Sequence, residues 1–397
     1  MKKLRVGILF GGRSGEHEVS LLSAASVLQA IDRKKYDVHL IGITRDGRWL
    51  TAGDAAHLLP SSTGATQHLR AGDPEATPGA ALLESGEEVL VAPVPASAEH
   101  VGGSLATLRS SAETSLNVDV IFPVLHGTFG EDGTVQGLFE LADIAYVGSG
   151  VLGSSAGMDK DVMKRLFAAA KLPIPKHVTV LRRDWRENPR KATGSIEAAL
   201  RYPMFVKPAN LGSSVGISKA HDRKELKTAV DLAASYDRKI VIEQSIGGKQ
   251  GKARELEVAV LGNDSPQASV VGEVIPCKEF YDYEAKYLSE GSELIIPAPL
   301  TRTQTKQVQQ MAIDAFRACD CAGMARVDFL MEPGEPSSAR PKKIFLNEVN
   351  TLPGFTSISM YPKLWQATGL PYSQLIDRLL EFALERHGEK KNNRYDV

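Results

Sequence analysis

Cysteine is scarce in this sequence, which has only Cys277, Cys319 and Cys321 among its 397 residues. Three thiols are too few for a disulfide framework and fit a reducing compartment. Cys319 and Cys321 form a C-x-C pair, but no second pair of Cys or His residues accompanies it, so zinc is not predicted. No apolar stretch approaches the ~20 residues that cross a bilayer. We therefore expect a cytoplasmic protein with no membrane partner.

An excess of charge of either sign is also lacking, because 47 Lys and Arg residues nearly balance 48 Asp and Glu residues. The net charge of −1 gives no electrostatic reason to expect nucleic acid or an anionic membrane as a partner. Apolar residues make up 43% of the chain, which suffices for the cores of two or three domains. The opening letters, "MKKLRVGILFGG", contain too short an apolar run for a signal peptide and predict a first strand.

Two common nucleotide-binding motifs are missing. The P-loop pattern G-x-x-x-x-G-K-[ST] does not occur in the sequence. The glycine-rich segment "FGGRSGEHE" does not match G-x-G-x-x-G, so dinucleotide binding is not supported. A nucleotide site in this chain would have to be built from other residues.

The N-terminal part reads as strand, helix and strand: "LRVGILF", a helix over about residues 19–31, and "YDVHLIGIT". This βαβ unit predicts a parallel sheet, which "VDVIFPVLHG" and "IAYVGSG" extend to a domain end near Gly150. Residues 51–118 are rich in Ala, Gly, Ser, Thr and Pro. We interpret them as a variable, loop-rich insertion in which only "EVLVAPV" forms a strand.

The rest of the chain mixes helices with strands that follow each other directly, as in antiparallel sheets. We predict helices over about residues 159–170, 301–322 and 372–385. "YPMFVKPANLGSSVGISKA" reads as strand, loop and strand, and "KIVIEQSI" is a further strand. "ELEVAVLGN" and "ASVVGEVIP" are consecutive strands, as in an antiparallel sheet, and "ARVDFLM" and "KIFLNEVN" are the last two strands. "EFYDYEAKYLSEGS" is a long polar and aromatic loop.

An acid and an amide stand two residues apart in "LNEVN". Because side chains alternate along a strand, Leu346, Glu348 and Asn350 should share one face. One antiparallel register opposes Asp328 to Glu348 and Arg326 to Asn350, with facing Cβ atoms ~5 Å apart. Two carboxylates and an amide suit Mg²⁺, which prefers oxygen ligands. The competing interpretation is a surface hairpin whose acids are bridged to Arg326.

Small residues in "KPANLGSSVG" could let backbone N–H groups approach phosphate oxygens, and Lys207 could reach a phosphate as a point charge. An ordinary hairpin turn would need the same small residues. "GGRSGEHEVS" lies where the first strand meets its helix, which is where open α/β sheets bind ligands. There Glu16 or Glu18 could face a ligand or could merely cap the helix. "HGTFGEDG" ends a neighbouring strand, so His126 could face the same crevice, or it could be structural with Glu131 and Asp132 as turn residues.

Taken together and in this order, these segments resemble the D-alanine–D-alanine ligase family of the ATP-grasp superfamily. The segments are "GGRSGEHEVSL", "HGTFGEDGT", "GSSAGMDK", "VKPANLGSSVGISK", "EFYDYEAKYLS", "ARVDF" and "LNEVNTLPGFTS", and they cover nearly the whole chain outside residues 51–118. The resemblance implies an α/β and α+β protein: a Rossmann-like parallel-sheet domain over residues 1–150, then an ATP-grasp fold of two α+β subdomains. These subdomains would be residues 151–242 and 243–397, with a lid near 278–292.

The resemblance also implies roles for individual residues. Contacts with ATP would come from Lys160, Lys207, Ser214, Glu243, Ile246, Glu255 and Lys286. Two Mg²⁺ or Mn²⁺ ions would be held by Asp328, Glu348 and Asn350. The two D-alanine sites would involve Glu16, His126, Ser359 and Met360. The oxyanion would be stabilised by Arg326 and the backbone N–H of Gly354, while Ser213, Lys286 and Tyr287 would close over the reaction. The loop "GGKQGKA" looks longer than usual for the family, which leaves Glu257 open in place of Glu255.

The implied chemistry activates a carboxylate with the γ-phosphoryl group of ATP and then lets the amine of a second D-alanine attack. The resemblance further implies a homodimer, and a monovalent cation is an additional candidate requirement. Two alternatives stay open on the sequence alone. One is another ATP-grasp carboxylate–amine ligase, and the other is a nucleotide-binding regulator without catalysis.

Overall fold

The structure is a computed structural model that describes residues 3–51, 77–91, 103–107, 115–247, 251–275, 293–333, 342–356 and 358–394. The described strands are β1 Leu4–Gly11, β2 Tyr36–Ile43, β3 Trp49–Thr51, β4 Glu87–Val91, β5 Gly103–Thr107, β6 Ser115–Val118, β7 Val120–Pro123, β8 Ala145–Tyr146, β9 His177–Leu181, β10 Met204–Pro208, β11 Ser218–Ala220, β12 Lys239–Gln244, β13 Arg254–Gly262, β14 Gln267–Ile275, β15 Glu293–Ile295, β16 Gly323–Met331 and β17 Ile344–Asn350. The described helices are α1 His17–Ala30, α2 Pro78–Ser85, α3 Thr134–Leu141, α4 Val151–Met158, α5 Lys160–Ala169, α6 Arg182–Glu187, α7 Pro189–Ala199, α8 Arg223–Tyr236, α9 Arg302–Ala318, α10 Met360–Thr368 and α11 Tyr372–Lys390.

The first sheet has the order β6-β5-β4-β3-β2-β1-β7-β8. The predicted parallel core is confirmed, because β1 pairs in parallel with both β2 and β7, and β7 with β8. β1 lies at its centre with Val6, Ile8, Leu9 and Phe10 fully buried. Strands buried on both faces read as continuous apolar runs, which explains why this one was recognisable.

Residues 51–118 contain more regular structure than the single strand that the sequence predicts. Helix α2 and the strands β5 and β6 lie within this segment, and β3, β4, β5 and β6 pair antiparallel in succession. The expectation that only "EVLVAPV" forms a strand was therefore wrong for the described parts of this segment. β5 reads "GSLAT" and β6 reads "SLNV", and these short runs of small and polar residues carry little strand signal.

Two further sheets follow, one four-stranded in the order β11-β10-β12-β9 and one five-stranded in the order β15-β14-β13-β16-β17. All their pairings are antiparallel, including that of β13 with β14, which the sequence predicts. Side-chain caps fix the helix starts near the predicted places: Asp159 caps α5, and Thr301 with Gln304 forms a capping box on α9. α9 ends at Ala318 rather than near 322, and α11 runs on to Lys390.

The N-terminal and C-terminal parts of the chain share one hydrophobic core. It joins side chains of β1 and β7 with those of β13, α10 and α11. Phe355 lies edge-on against Phe122 with ring centroids 5.6 Å apart and also packs beside Tyr361 and Tyr372. No helix in the described part of the chain combines the length and apolar character needed to cross a membrane.

Candidate active site

Strands β16 and β17 pair in the register that the sequence predicts. Asp328 lies opposite Glu348, and Arg326 lies opposite Asn350. The register shifts next to these pairs, between Asp328 and Phe329, because β17 carries one extra residue there. This β-bulge turns Leu346 into the core, where it is fully buried, so Leu346 does not share the face of Glu348 and Asn350 as we had predicted.

Asn347 is the extra residue of the bulge. Its side-chain Oδ1 accepts a hydrogen bond from Lys207 Nζ at 3.4 Å, and its backbone oxygen accepts one from Lys164 Nζ at 3.3 Å. The bulge therefore gives β17 both a carboxylate on the Asp328 face and polar atoms directed at two lysines. Bulges commonly re-aim a side chain in this way beside active sites.

Arg326 lies among carboxylates on the same face. Its guanidinium donates to both oxygens of Asp328, at 2.8 and 2.7 Å, and its Nε lies 3.0 Å from Glu257 Oε2. A carboxylate oxygen has further lone pairs for a cation, and Asp328, Glu348 and Asn350 offer the oxygen donors that Mg²⁺ takes. Among the described residues no group of three or more His, Cys, Asp or Glu side chains could hold a metal ion. Metal binding by Asp328, Glu348 and Asn350, two carboxylates and one amide, therefore stays a prediction.

Two lysines and a glutamate form a buried cluster beside β17. Glu243 on β12 is 2% exposed; Lys164 Nζ lies 3.0 Å from its Oε1, and Lys207 Nζ donates to its Oε2 at 3.0 Å. Burial alone would raise the pKa of Glu243, but the two lysines lower it to about 2. Glu243 is therefore ionised at neutral pH.

Lys207 is also influenced by more distant carboxylates. Burial lowers its pKa, but the charges of Glu243, Glu348 and Glu255 outweigh burial and raise it. Glu255 and Glu257 lie two residues apart on β13, yet Glu255 acts on Lys207 while Glu257 pairs with Arg326. The choice of Glu255 over Glu257 on the nucleotide side stays a prediction.

The predicted phosphate loop connects β10 to β11. Ser213 and Ser214 have positive φ angles of 47° and 60°, a left-handed conformation that costs non-glycine residues about 1–2 kcal/mol each. Lys160, at the start of α5, donates from Nζ to the backbone oxygen of Leu211 at 2.8 Å and so reaches this loop. Strained backbone held by its surroundings is common at ligand sites.

Glu16 links the phosphate loop to the first sheet. It is 8% exposed and accepts a hydrogen bond from Ser213 Oγ. A Cβ atom at Gly212 would lie 2.6 Å from Glu16 Oε2, and one at Gly127 would lie 2.7 Å from the same oxygen. The carboxylate thus fills the space between two backbones, and at Gly127 the positive φ angle of 78° also favours glycine.

His126 is buried beside Glu16 and anchors the C-terminal loop. Its Nδ1 donates to the backbone oxygen of Leu352 at 3.1 Å, and Ser23 Oγ lies 3.0 Å from its Nε2. Glu131 Oε1 lies 3.7 Å from Nδ1. Burial alone would lower the pKa of His126, but Glu131 and Glu16 raise it. Burial and the charge of Glu16 raise the pKa of Glu131 to about 7 against the opposing effect of His126.

A cavity of about 310 Å³ lies behind this cluster, at the carboxyl ends of β1, β2 and β7. Ser14 and His126 form part of its wall, together with Arg13, Trp49 and Phe129. The Arg13 guanidinium lies 5.0 Å from the centre of the Phe129 ring. Ser14 Oγ donates to the His126 backbone oxygen at 2.5 Å and accepts from the Glu16 N–H at 3.2 Å, so the cavity adjoins the predicted amino-acid site.

The loop after β17 carries the remaining predicted residues. A Cβ atom at Gly354 would lie 2.8 Å from Ser359 Oγ, so Gly354 and the Ser359 hydroxyl are close neighbours in this turn. Ser359 Oγ accepts the Thr356 N–H at 3.0 Å and precedes α10. Met360 is buried in the shared core, and its sulfur would lie 3.1 Å from a Cβ atom on Gly272. Its side chain therefore belongs to the packing beneath the loop.

The structure brings most predicted residues together and reveals some that sequence reasoning missed. Ile246 follows β12 and is half-buried, while Lys286, Tyr287 and the proposed lid lie outside the described residues. Lys164, Asn347 and Glu131 were not assigned roles in binding or catalysis. Lys164 could have been found, because it stands four residues after Lys160 on one helix face. No feature of the sequence predicts the bulge at Asn347.

Comparison with known proteins identifies the family of this chain. A family model described as "D-ala D-ala ligase N-terminus" matches residues 5–149, and one described as "D-ala D-ala ligase C-terminus" matches residues 166–381. A D-alanine–D-alanine ligase of Chloroherpeton thalassium is 47% identical over 396 residues, which are 98% of this chain and 99% of that protein.

Solved structures show the same fold. The D-alanine-D-alanine ligase from Coxiella burnetii has a TM-score of 0.78 at 35% identity, covering 99% of this chain and 97% of the other. The VanG D-Ala:D-Ser ligase from Enterococcus faecalis has a TM-score of 0.77 at 35% identity, covering 96% and 100%. The predicted ATP-grasp fold class is confirmed. The chain belongs to the D-alanine–D-alanine ligase family, and it is a ligase with that family's use of ATP and a divalent metal ion.

Proposed function

We propose that this enzyme joins two D-alanine molecules into D-alanyl-D-alanine, releases ADP and phosphate, and supplies peptidoglycan precursors in the cytoplasm. The observation that carries the proposal is the contact between Ser213 Oγ and Glu16. It places the loop predicted to bind phosphate against the carboxylate predicted to orient the first D-alanine. An acyl carboxylate and the terminal phosphate of ATP can then meet in one site, as phosphoryl transfer requires.

Five residues of the site would have distinct roles in the proposed reaction. Glu16, buried between glycines, would accept hydrogen bonds from the α-ammonium group of the first D-alanine. Lys160 and Lys207 would neutralise charge on the transferring phosphoryl group. Arg326 and the Gly354 N–H would stabilise the oxyanion formed when the second amine attacks.

Two Mg²⁺ or Mn²⁺ ions would be held by Asp328, Glu348 and Asn350, whose oxygens suit hard divalent cations. When bound, such ions screen the charge of the phosphates and orient them. A monovalent cation is a further candidate requirement. Glu243, Ile246 and Glu255 would hold adenine and ribose, and Ser214 a phosphate.

We also propose a homodimer. Four large apolar side chains are exposed near one another in the chain, on helices α3 and α4 and the loop before them: Phe129 45%, Leu141 66%, Val151 41% and Leu152 66%. We call these four residues the α3–α4 patch. Helices α3 and α4 contact each other, and Ser155 on α4 donates to the Asp132 backbone oxygen in the loop at 2.8 Å. Exposed apolar patches mark contact sites on soluble proteins.

The deciding experiment measures ADP release with ATP, Mg²⁺ and single amino acids, followed by identification of the product. D-alanine alone should support turnover and yield the dipeptide, whereas L-alanine should not. D-serine is tested together with D-alanine because one similar solved structure is a D-Ala:D-Ser ligase. Formation of AMP in step with the product would overturn the acyl phosphate route, and a product without D-alanine would overturn the substrate assignment.

A further inference from the structure

Lys164 is a buried charge to which the proposed function gives no task. It lies on α5, one turn after Lys160, and its side chain is 1% exposed. Lysine is almost never fully buried unless it is paired, because burying an ammonium group is unfavourable. The burial of Lys164 beside the proposed nucleotide site must therefore be offset by its partners, and these partners indicate its role.

Lys164 and Lys207 each contact a different oxygen of the Glu243 carboxylate. Lys164 Nζ lies 3.0 Å from Glu243 Oε1, and Lys207 Nζ lies 3.0 Å from Glu243 Oε2. At Glu243 two ammonium groups thus share one carboxylate, and Glu348 and Glu255 also act on Lys207. A carboxylate with two partners can lose one of them to a phosphate without becoming unpaired.

The two lysines differ in their freedom to leave Glu243. Lys164 is enclosed and is also held by the backbone oxygen of Asn347 at 3.3 Å. The Lys207 side chain contacts the side chain of Asn347 at a similar distance, 3.4 Å, but it is 11% exposed whereas that of Lys164 is 1% exposed. If Lys207 turned to a phosphate, Glu243 would keep a partner on its other oxygen.

We propose that Lys164 is a positioning residue that serves as the fixed counter-ion of Glu243 and thereby releases Lys207 to contact a phosphate of ATP. This inference rests on the nucleotide site proposed above. Without Lys164, the transfer of Lys207 to a phosphate would leave Glu243 buried and unpaired, which is strongly unfavourable. Glu243 would then retain Lys207 and weaken the binding of the triphosphate.

The test compares Lys164→Met with the parent enzyme. We expect the dissociation constant of ATP to rise at least tenfold, while the KM for D-alanine stays within twofold. The inhibition constant of adenosine, as a competitor of ATP, should also stay within twofold, because adenosine carries no phosphate for Lys207. Equal weakening of ATP and adenosine would show a general distortion of the site and overturn the inference.

A second variant uses the charge of Glu243 itself. Adding Glu243→Gln to Lys164→Met removes the carboxylate that retains Lys207. Because Glu243 is also proposed to hold the nucleoside, ATP is compared with adenosine on the same variant, and the ratio of the ATP to the adenosine dissociation constant should fall at least threefold relative to Lys164→Met alone. No recovery in the double variant would also overturn the inference. Lys164→Gln, whose amide can still donate to Asn347, repeats the comparison if methionine prevents folding.

Two controls separate this inference from the nucleotide site on which it rests. Arg165→Met removes a positive charge from the next position of the same helix, where the side chain is 72% exposed, and should leave ATP binding unchanged. Lys207→Met should weaken ATP at least tenfold. If Lys207→Met has no effect, the proposed nucleotide site fails; if it weakens ATP but Lys164→Met does not, only the role of Lys164 fails.

Discussion

Glu348 lies opposite Asp328 across two antiparallel strands, where one carboxylate could serve two cations. We expect Glu348→Gln to lose at least ~10²-fold in turnover, because metal-centred charge stabilisation is worth several kcal/mol. The measurement is ADP release at saturating ATP and D-alanine, with circular dichroism to confirm the fold. Glu381→Gln makes the same change at a side chain that is 58% exposed on α11 and should keep parental turnover. Near-parental activity in a folded Glu348→Gln enzyme would contradict the metal site.

Glu131 offers a prediction about pH. Burial raises its pKa from 4.5 to about 7 in the folded protein. Between those two values the folded state keeps a proton that the unfolded state has lost, so raising the pH through this window removes stability. The raised pKa of His126 acts in the same direction, because stability from its charged form is lost as pH rises through that pKa.

Glu131→Gln should therefore gain stability relative to the parent as the pH rises from about 5 to 8, by on the order of 2 kcal/mol. The measurement is the free energy of unfolding of both proteins by urea denaturation across this range. Because Glu131 and His126 titrate together, the change belongs to the pair. A difference between variant and parent that stays constant with pH would refute the prediction.

At the scale of elements, the strands β16 and β17 show what a sequence can and cannot supply. The alternation of side chains between the two faces of a strand, together with the positions of the polar residues, was enough to predict the pairing of Asp328 with Glu348. They could not predict that Leu346 faces the core, because the bulge depends on how the two strands pair in the folded sheet and not on the local propensity of either strand. For the same reason Asn347, which contacts both lysines, stayed unrecognised.

The phosphate loop supports a matched pair of substitutions at Ser213, whose φ angle is 47°. Ser213→Ala and Ser213→Gly both remove the hydroxyl that donates to Glu16, but only glycine adopts this backbone conformation without strain. We expect the glycine variant to be more stable than the alanine variant by about 1 kcal/mol. Both should lose turnover to a similar extent if the hydroxyl closes the site. An alanine variant at least as stable as the glycine variant would show that the loop does not hold this conformation.

At the scale of the whole molecule, the site depends on contacts between segments far apart in sequence. Ser213 reaches Glu16 across 197 positions, and His126 reaches Leu352 across 226. Each segment could be recognised by its own residues, and the resemblance to one family implied that they meet. Composition and periodicity alone do not give such distances, and they gave no sign that Phe355 would join the C-terminal part to the first sheet.

The α3–α4 patch gives the last prediction, which concerns the assembly. We expect sedimentation velocity to show a dimer of the 42.9 kDa chain at micromolar concentration, and Leu152→Asp to shift it to the monomer. Leu152 is 66% exposed, so a charge there costs the monomer little, whereas burial of that charge between two subunits would be strongly unfavourable. Leu232→Asp, at a 43% exposed position on α8, makes the same change away from the patch and should remain dimeric. If both variants stay dimeric, the subunits meet through another surface. If the parent is itself a monomer, the patch does not pair two copies of this chain, and the enzyme completes its site within one subunit.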